Sequence, residues 1–149
     1  MTESRFESLA DSHRVVLDSF YAAEVRYVAA GGAEAGADFK EMALHLHPEI
    51  VVHQGPIVPY AGEWRGIDGL ERFFAIYTDT WSTLDLSETK YFESKTGVAM
   101  SLRMRATGRR TGHVVDTRIA QFLTFDRGLI RDLTVFYLDP VQMREATRP

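Results

Sequence analysis

Residues 48–81 have the sequence PEIVVHQGPIVPYAGEWRGIDGLERFFAIYTDTW, and their pattern predicts a strand, an irregular loop and a helix in that order. An Ile-Val-Val run favours a strand over residues 49–54. The glycines and prolines that follow, within residues 55–65, exclude regular structure there. From Gly66 onward, large apolar side chains recur at helical spacing and must be buried against a sheet or another helix. The members of this apolar stripe are Leu70, Phe73, Phe74, Tyr77 and Trp81.

The chain before this segment has a helical pattern. Residues 6–30 contain no proline or glycine and carry apolar side chains at helical spacing, which predicts a long first helix that ends at Gly31. Asp38 is predicted to cap a second, short helix, with Glu41 as its capping-box partner. Pro48 is predicted to end that helix.

The chain after Trp81 changes to the period of strands. Strands are predicted over residues 84–93, 97–107, 114–125 and 129–138, with a tight Asp-Arg-Gly hairpin turn before the last one. A short polar tail is predicted to follow Pro140. Because helices precede an antiparallel meander of strands, the predicted fold class is α+β.

The composition of the chain is that of an ordinary soluble protein, and we expect residues 1–149 to form a single domain. The net charge of −4 argues against nucleic acid as a partner, and no apolar run reaches the length needed to span a membrane. The sequence contains no cysteine, which excludes disulfides and thiolate metal sites. Together with a polar N-terminal segment that has no signal-peptide pattern, these features predict a cytoplasmic protein.

The segment HQGPIVPYAGEWRGIDGLERFF, residues 53–74, resembles the strand–loop–helix segment of SnoaL-like proteins, which belong to the superfamily of nuclear transport factor 2 and ketosteroid isomerase. The resemblance rests on the ordered run of His, Pro, Pro-Tyr, Gly, Trp-Arg-Gly, Asp-Gly and Phe-Phe. It implies a cone in which a strongly curved antiparallel sheet wraps around the N-terminal helices, with a mostly apolar pocket at the open end. It also implies a homodimer formed through the exposed face of the sheet. Since this fold hosts many chemistries, the resemblance specifies no single activity.

Strand alternation places polar side chains in line with apolar ones. Gln121 shares a face with Ile119 and Leu123, and an unpaired buried amide costs about 1–3 kcal/mol, so Gln121 needs a partner or a ligand. Tyr137 and Asp139 stand in line with the apolar positions of the last strand. Because Asp139 precedes a proline, it either faces the pocket or lies at the strand end in contact with water.

His53 ends the first strand, directly before the apolar loop. It either serves as a general base or acid near neutral pH, or its imidazole hydrogen-bonds the loop backbone. Tyr60 and Trp64 are predicted to form pocket walls, since each combines an apolar face with one polar group. Tyr27 lies on the helix face that is expected to point into the cone, where ordinary core packing is the alternative role.

The resemblance to SnoaL-like proteins also implies roles for particular residues. Tyr27 matches the tyrosine that donates to the enolate oxygen in ketosteroid isomerase, and Gln121 stands where that enzyme has its second donor. The isomerase's catalytic aspartate has no counterpart, because residues 53–56 read His-Gln-Gly-Pro. SnoaL itself is a polyketide cyclase that works without a cofactor, and its use of His and Asp is the nearest match to His53 and Asp139.

Two functions of different classes follow from these residues. The first is a cofactor-independent cyclase, isomerase or hydrolase. In it His53 moves the proton, Asp139 tunes His53 or holds a water molecule, and Tyr27 and Gln121 stabilise negative charge on oxygen. The second is a binding or accessory protein with the same pocket and no turnover. In both cases the expected ligand is a small hydrophobic organic molecule, and neither a metal nor a nucleotide cofactor is expected. The predicted ligand-contacting residues are Tyr60, Trp64, Phe74, Gln121 and Tyr137.

Overall fold

The structure is a computed structural model that describes the backbone of residues 3–148 and the side chains of residues 12–148. A short 3-10 turn at Ala33–Ala35 separates the first two helices. The elements, in chain order, are α1 (Glu3–Ala29), α2 (Lys40–Ala43), β1 (Leu46–Gln54), β2 (Gly62–Arg65), α3 (Gly66–Thr80), β3 (Trp81–Glu93), β4 (Val98–Gly108), β5 (Val114–Asp126), β6 (Leu129–Tyr137) and α4 (Pro140–Thr147).

The strands form one curved sheet in the order β2-β1-β6-β5-β4-β3, which confirms the predicted α+β class. Neighbouring strands pair antiparallel except β1 and β6, which run parallel and align Val52 with Leu133. The prediction of a wholly antiparallel sheet is therefore wrong for this pair. After β1 the chain passes through a hairpin, a helix and three strands, and β6 then returns beside β1 in the same direction.

Helices α1 and α3 cover the inner face of the sheet. Along β4, Met100 and Leu102 are buried beneath the helices, whereas Arg103 lies on the outer face and forms an ion pair with Asp116 of β5. The apolar stripe of α3 is buried as predicted, and Trp81, the first residue of β3, is fully buried. The core thus lies between the concave face of the sheet and two helices.

The loop after β1 is shorter than predicted, because its last residues form strand β2. The backbone of β2 pairs with β1 and places Trp64 opposite Val52. The prolines lie in the turn between the strands, and Gly62 opens β2 with a φ of 105°, a conformation that favours glycine. Strand β1 also begins earlier than predicted and includes Pro48, so this proline does not end α2.

Helix α2 is a single turn that begins near Asp38, as predicted. The Asp38 carboxylate accepts a hydrogen bond from the Lys40 backbone N–H at 2.9 Å, although the cap residue itself is Phe39. The predicted capping box does not form, because Glu41 instead makes an ion pair with Arg26 of α1. This contact ties α2 to the first helix.

A fourth helix replaces the predicted polar tail. Asp139 is its N-cap and accepts a hydrogen bond from the Gln142 backbone N–H at 3.1 Å, and Pro140 occupies the first turn. Met143 and Ala146 are buried, and α4 contacts β4 and β5. An aspartate followed by a proline is typical of a helix start. Here the pair follows a strand, so the sequence pattern indicated only the end of that strand.

Candidate functional site

An interior cavity lies between the inner face of the sheet and helices α1 and α3. Its volume is about 40 Å³, which is room for roughly three water molecules. The apolar part of its wall includes Phe20, Ile50, Leu70, Phe74, Met104 and Val135. The polar part is formed by Tyr21, Glu24, Gln54, Tyr77, Gln121 and Tyr137. An apolar enclosure with a few convergent polar groups is the usual make-up of a small-molecule site.

Glu24 of α1 supplies a carboxyl group to the cavity wall, and only 8% of the residue is exposed. It lies on the apolar stripe of α1, one turn after Phe20 and one turn before Val28. Burial raises the pKa of Glu24 to about 8, although a hydrogen bond with Tyr77 lowers it. A carboxyl group with this pKa is mostly protonated at pH 7 and exchanges its proton near neutral pH.

A hydrogen bond between Tyr21 and Gln121 joins α1 to β5 across the cavity. The Tyr21 hydroxyl donates to the amide oxygen of Gln121, and burial raises the pKa of that hydroxyl well above its usual value. Gln121 faces the cavity because the alternation along β5 puts it on the same side as Ile119 and Leu123. Within the described residues its amide nitrogen has no acceptor, so both N–H groups are available to a ligand.

A second tyrosine–glutamine pair lies on the other side of β6. The Tyr137 hydroxyl donates to the amide oxygen of Gln54 at 2.7 Å. On β5, Gln121 lies opposite Val135 of β6. On the other side of β6, β1 runs parallel with His53 opposite Thr134, so the next residue, Gln54, also lies beside Val135. The two glutamines therefore flank Val135 from the two neighbouring strands. The amide nitrogen of Gln54 likewise has no acceptor in the described part of the chain. The sheet side of the cavity, which we call the cavity floor, therefore presents two carboxamides whose unpaired groups are N–H donors.

Tyr60 stands behind this wall and supports it. Its ring is completely buried, and its hydroxyl accepts a hydrogen bond from the Trp81 indole at 3.0 Å. A further hydrogen bond connects Tyr60 to Tyr137, and the Trp64 indole donates to the Tyr60 backbone oxygen at 3.0 Å. Tyr60 and Trp64 thus fix the position of Tyr137 without lining the cavity themselves, in contrast to their predicted place on the wall.

His53 lies on the opposite face of β1 from the cavity. Ile50 and Gln54 face inward, so the pleat directs His53 outward. Its imidazole lies 3.3 Å from a carboxylate oxygen of Asp132 and 3.3 Å from one of Glu63, both of which are exposed. The geometry therefore does not support the hypothesis that His53 moves a proton inside the pocket, and its partners are carboxylates rather than the loop backbone.

The other two predicted catalytic residues also lie away from the cavity wall. Asp139 caps α4 and lines a surface groove, so it does not converge with His53. Tyr27 packs in the core with its ring centroid 5.9 Å from that of Phe39 and 6.3 Å from that of Phe74. Tyr21, and not Tyr27, is the tyrosine of α1 whose hydroxyl reaches Gln121 on the cavity wall.

Three of the predicted ligand-contacting residues lie on the cavity wall, namely Phe74, Gln121 and Tyr137. Sequence reasoning missed Tyr21, Glu24, Gln54 and Tyr77 as candidate site residues. The sequence did carry a signal for Glu24, since a lone acidic residue on the apolar stripe of a buried helix needs a partner or a function. No comparable signal marked Gln54, because the run before it is apolar on both faces of the strand.

Within residues 12–148, no group of three or more His, Asp or Glu side chains is placed to hold a metal ion. None of the helices found in residues 3–148 combines the length and the apolar character that crossing a bilayer requires.

The sequence from residue 25 to residue 133 matches the model of the SnoaL-like domain. The chain therefore belongs to the SnoaL-like family, as the resemblance predicted. A search of the curated proteins returns no significant match.

Solved structures with the same fold come from several proteins. An NTF2-like protein from Burkholderia thailandensis is 24% identical, with 93% of this chain and 98% of that chain covered and a TM-score of 0.73. TerC, co-crystallised with polyporic acid, is 15% identical, with 91% and 98% covered and a TM-score of 0.76. A protein from Jannaschia sp. CCS1, assigned as a SnoaL-like polyketide cyclase, is 13% identical, with 89% and 94% covered and a TM-score of 0.65. At these identities the likeness shows the fold.

Proposed function

We propose that this protein is a cofactor-independent acid–base enzyme that acts on a small organic molecule with a carbonyl group. The observation that carries the proposal is Glu24, a buried carboxyl group on the wall of an apolar cavity with a pKa of about 8. A carboxyl group buried in this way titrates close to the operating pH, where proton transfer is most efficient. Glu24 thus takes the role that the sequence analysis gave to His53.

In the proposed reaction, the Glu24 carboxylate accepts a proton from a carbon next to the carbonyl group. The electron pair of the broken C–H bond moves toward the carbonyl oxygen, and the N–H groups of Gln121 and Gln54 stabilise the resulting enolate. Glu24 then returns its proton to another atom of the molecule, which is an isomerisation. Where the enolate carbon instead attacks a second carbonyl carbon, a ring closes and Glu24 protonates the new alkoxide.

The family supports this chemistry at a coarser level. It contains a protein assigned as a polyketide cyclase, and TerC shares the fold and was crystallised with polyporic acid. Both are consistent with a carbonyl-rich organic ligand. For this reason the first compounds to test are cyclic ketones and polyketide-like aromatics, with epoxides included to cover hydrolysis.

The test has two steps. Compounds are first screened for those that raise the melting temperature of the protein, and NMR then monitors the exchange of their ketone α-protons for deuterium. We expect exchange to increase with pH toward a plateau above pH 8, because the reactive form is the carboxylate. Glu24→Gln should lower the rate by about 10²–10⁴-fold. His53→Ala is the matched control and should retain the wild-type rate. Loss of exchange in His53→Ala, with exchange retained in Glu24→Gln, would overturn the assignment.

A binding or accessory role is the second candidate, and one observation favours it. Two tyrosine hydroxyls of the cavity, those of Tyr21 and Tyr137, already pair with the glutamine oxygens, so these groups are held in place by the protein itself. Under this alternative, compounds raise the melting temperature and no α-proton exchange occurs with any of them.

The proposed working form is a cytoplasmic homodimer that associates through the outer face of the sheet. Large apolar side chains are exposed on this face, and the rings of Phe122 and Phe136 meet edge to face at 5.7 Å. Phe92 and Leu138 are also exposed. Apolar side chains grouped in this way are typical of protein–protein contacts. The absence of cysteine supports the cytoplasmic location.

A further inference from the structure

A surface groove runs between α1 and strands β3 and β4, and it shares two wall residues with the interior cavity. These residues are Tyr21 and Leu86. The groove is more open to solvent than the cavity. Two other surface grooves lie beside Asp139 and beside Arg109. Neither of them has a wall residue in common with the cavity.

We propose that this groove is the outer half of a single ligand site, that Tyr21 is the gate between its two halves, and that the site takes an elongated molecule. The inner end of that molecule carries a carbonyl or phenolate oxygen, and its body is an aromatic or alkyl group. The inference rests on the proposed function of the cavity for the chemistry at the inner end. The route past Tyr21 rests on geometry alone.

The size of the cavity argues for a site in two parts. Space for roughly three water molecules accepts a carbonyl group and its neighbouring carbon atoms, and it is too small to enclose a fused ring system. The remainder of any larger ligand must lie outside, and the groove directly beyond Tyr21 has apolar walls that include Val25, Met100 and Leu102. Charged groups, Asp18, Arg26 and Asp85, also line it. An apolar body therefore fits the groove, and polar substituents fit beside these charges.

The hydrogen bond between Tyr21 and Gln121 explains how the two halves are separated. The Tyr21 ring is partly buried and borders the groove, while its hydroxyl reaches inward to Gln121. Rotation of the ring breaks this one hydrogen bond and opens the wall. It also frees the whole carboxamide of Gln121, so an entering oxygen replaces the tyrosine as its partner and compensates for the lost bond.

The chain contains no cysteine, so a single thiol placed on the cavity floor reports access to the cavity. Val135→Cys is a near-isosteric change between the two glutamines, and Val52→Cys on the same wall replaces it if the first variant does not fold. Methyl methanethiosulfonate transfers its methylthio group to the thiolate and releases methanesulfinate. The labelling rate is measured by mass spectrometry.

Three further changes are made in the Val135→Cys background. Tyr21→Ala removes the gate and should raise the labelling rate about tenfold or more. Ala22→Trp fills the groove from an exposed position of α1 and should lower the rate several-fold. Ala29→Trp adds the same side chain at an exposed position of α1 outside the groove and should leave the rate unchanged.

Equal rates in the Ala22→Trp and Ala29→Trp variants would overturn the proposal, because the reagent would then reach the thiol by another route or through unfolding. To separate gating from lost stability, Tyr21→Ala is compared with Ile76→Ala of α3 at denaturant concentrations that give equal unfolding free energies. A similar acceleration in both variants would also overturn it.

The ligand class is tested with 2-acetylnaphthalene as the probe and 2-ethylnaphthalene as its control without a carbonyl. The ketone should protect the Val135→Cys thiol from labelling, and the hydrocarbon should not. Equal protection by both compounds, or by neither, would contradict the inferred ligand class. Failure of the proposed function would appear separately, as an absence of α-proton exchange in the wild-type protein, and would leave the labelling result unaffected.

Discussion

Tyr77 of α3 donates a hydrogen bond to the buried carboxyl group of Glu24 on α1, and this contact joins the two helices that cover the sheet. The bond favours the ionised form of Glu24, yet burial has the larger effect and holds the pKa of Glu24 at about 8. The protein therefore keeps in its interior a carboxyl group that is neutral at pH 7. This arrangement costs stability once the group ionises.

The first prediction concerns the pH dependence of stability. Because the pKa of Glu24 is raised from 4.5 to about 8, the folded chain holds a proton that the unfolded chain releases across this range. The free energy of unfolding should therefore fall as pH rises from 4.5 to 8, by roughly 5 kcal/mol at most. Glu24→Gln should remove this decline, as measured by urea unfolding at pH 5, 7 and 9. The control Glu71→Gln, at an exposed position of α3, should follow the wild-type curve.

The second prediction concerns the support behind the cavity wall. Tyr60→Phe leaves the buried Trp81 indole N–H without its acceptor, and should lower the free energy of unfolding by about 1–3 kcal/mol. Tyr91→Phe makes the same chemical change where the hydroxyl donates to Asp18 at the surface. In that variant, water replaces the Tyr91 hydroxyl as the partner of Asp18, and the free energy of unfolding should fall by less than about 1 kcal/mol. Equal losses in both variants would contradict the supporting role of Tyr60.

The third prediction concerns the docking of α4. A Cβ atom on Gly108 would lie 2.0 Å from the backbone oxygen of Ala146, so Gly108→Ala must displace the helix. We expect a loss of about 1–3 kcal/mol in the free energy of unfolding and faster proteolysis of α4. Gly55→Ala is the control, because no atom lies within 4 Å of a Cβ at that position. A wild-type proteolysis rate in Gly108→Ala would show that α4 docks without this close contact.

The fourth prediction concerns the proposed dimer. Phe136→Lys places a charge in the middle of the exposed apolar group on the outer sheet face, and should convert the dimer to a monomer. Leu44→Lys makes the same change at another exposed apolar residue, which lies outside the sheet, and should leave the dimer intact. Size-exclusion chromatography with light scattering reads the outcome. A monomeric wild-type protein at micromolar concentration would refute the dimer itself.

Most of the fold was predictable from the sequence because the apolar patterns are regular. The stripe of α3 and the alternation of Met100 and Leu102 along β4 each follow one period, and both are buried as predicted. Errors arose where one signal had two meanings. The Asp139-Pro140 pair ends a strand and also begins a helix, and the strand pattern before it indicates only the strand end.

The site was less predictable than the fold because it depends on which face of a strand points inward. In β1 the residues before His53 are apolar on both faces, so the alternation did not distinguish His53 from Gln54. In β5 the charged and apolar residues alternate, and there the inward position of Gln121 followed directly. The pairing of Gln121 with Tyr21 rather than Tyr27 depends on how α1 is rotated against the sheet, which no local pattern encodes.

The parallel pairing of β1 with β6 has a consequence for the order in which the protein folds. Strand β1 ends at Gln54, and its main partner begins only at Leu129. Closing so long a loop is entropically costly, and contacts between residues far apart in sequence slow folding. The hairpin of β1 and β2 must therefore wait for the meander of the later strands before it joins the sheet. During synthesis on the ribosome, the edge of β1 that β6 covers therefore stays unpaired until β6 emerges, and an unpaired strand edge is prone to aggregation.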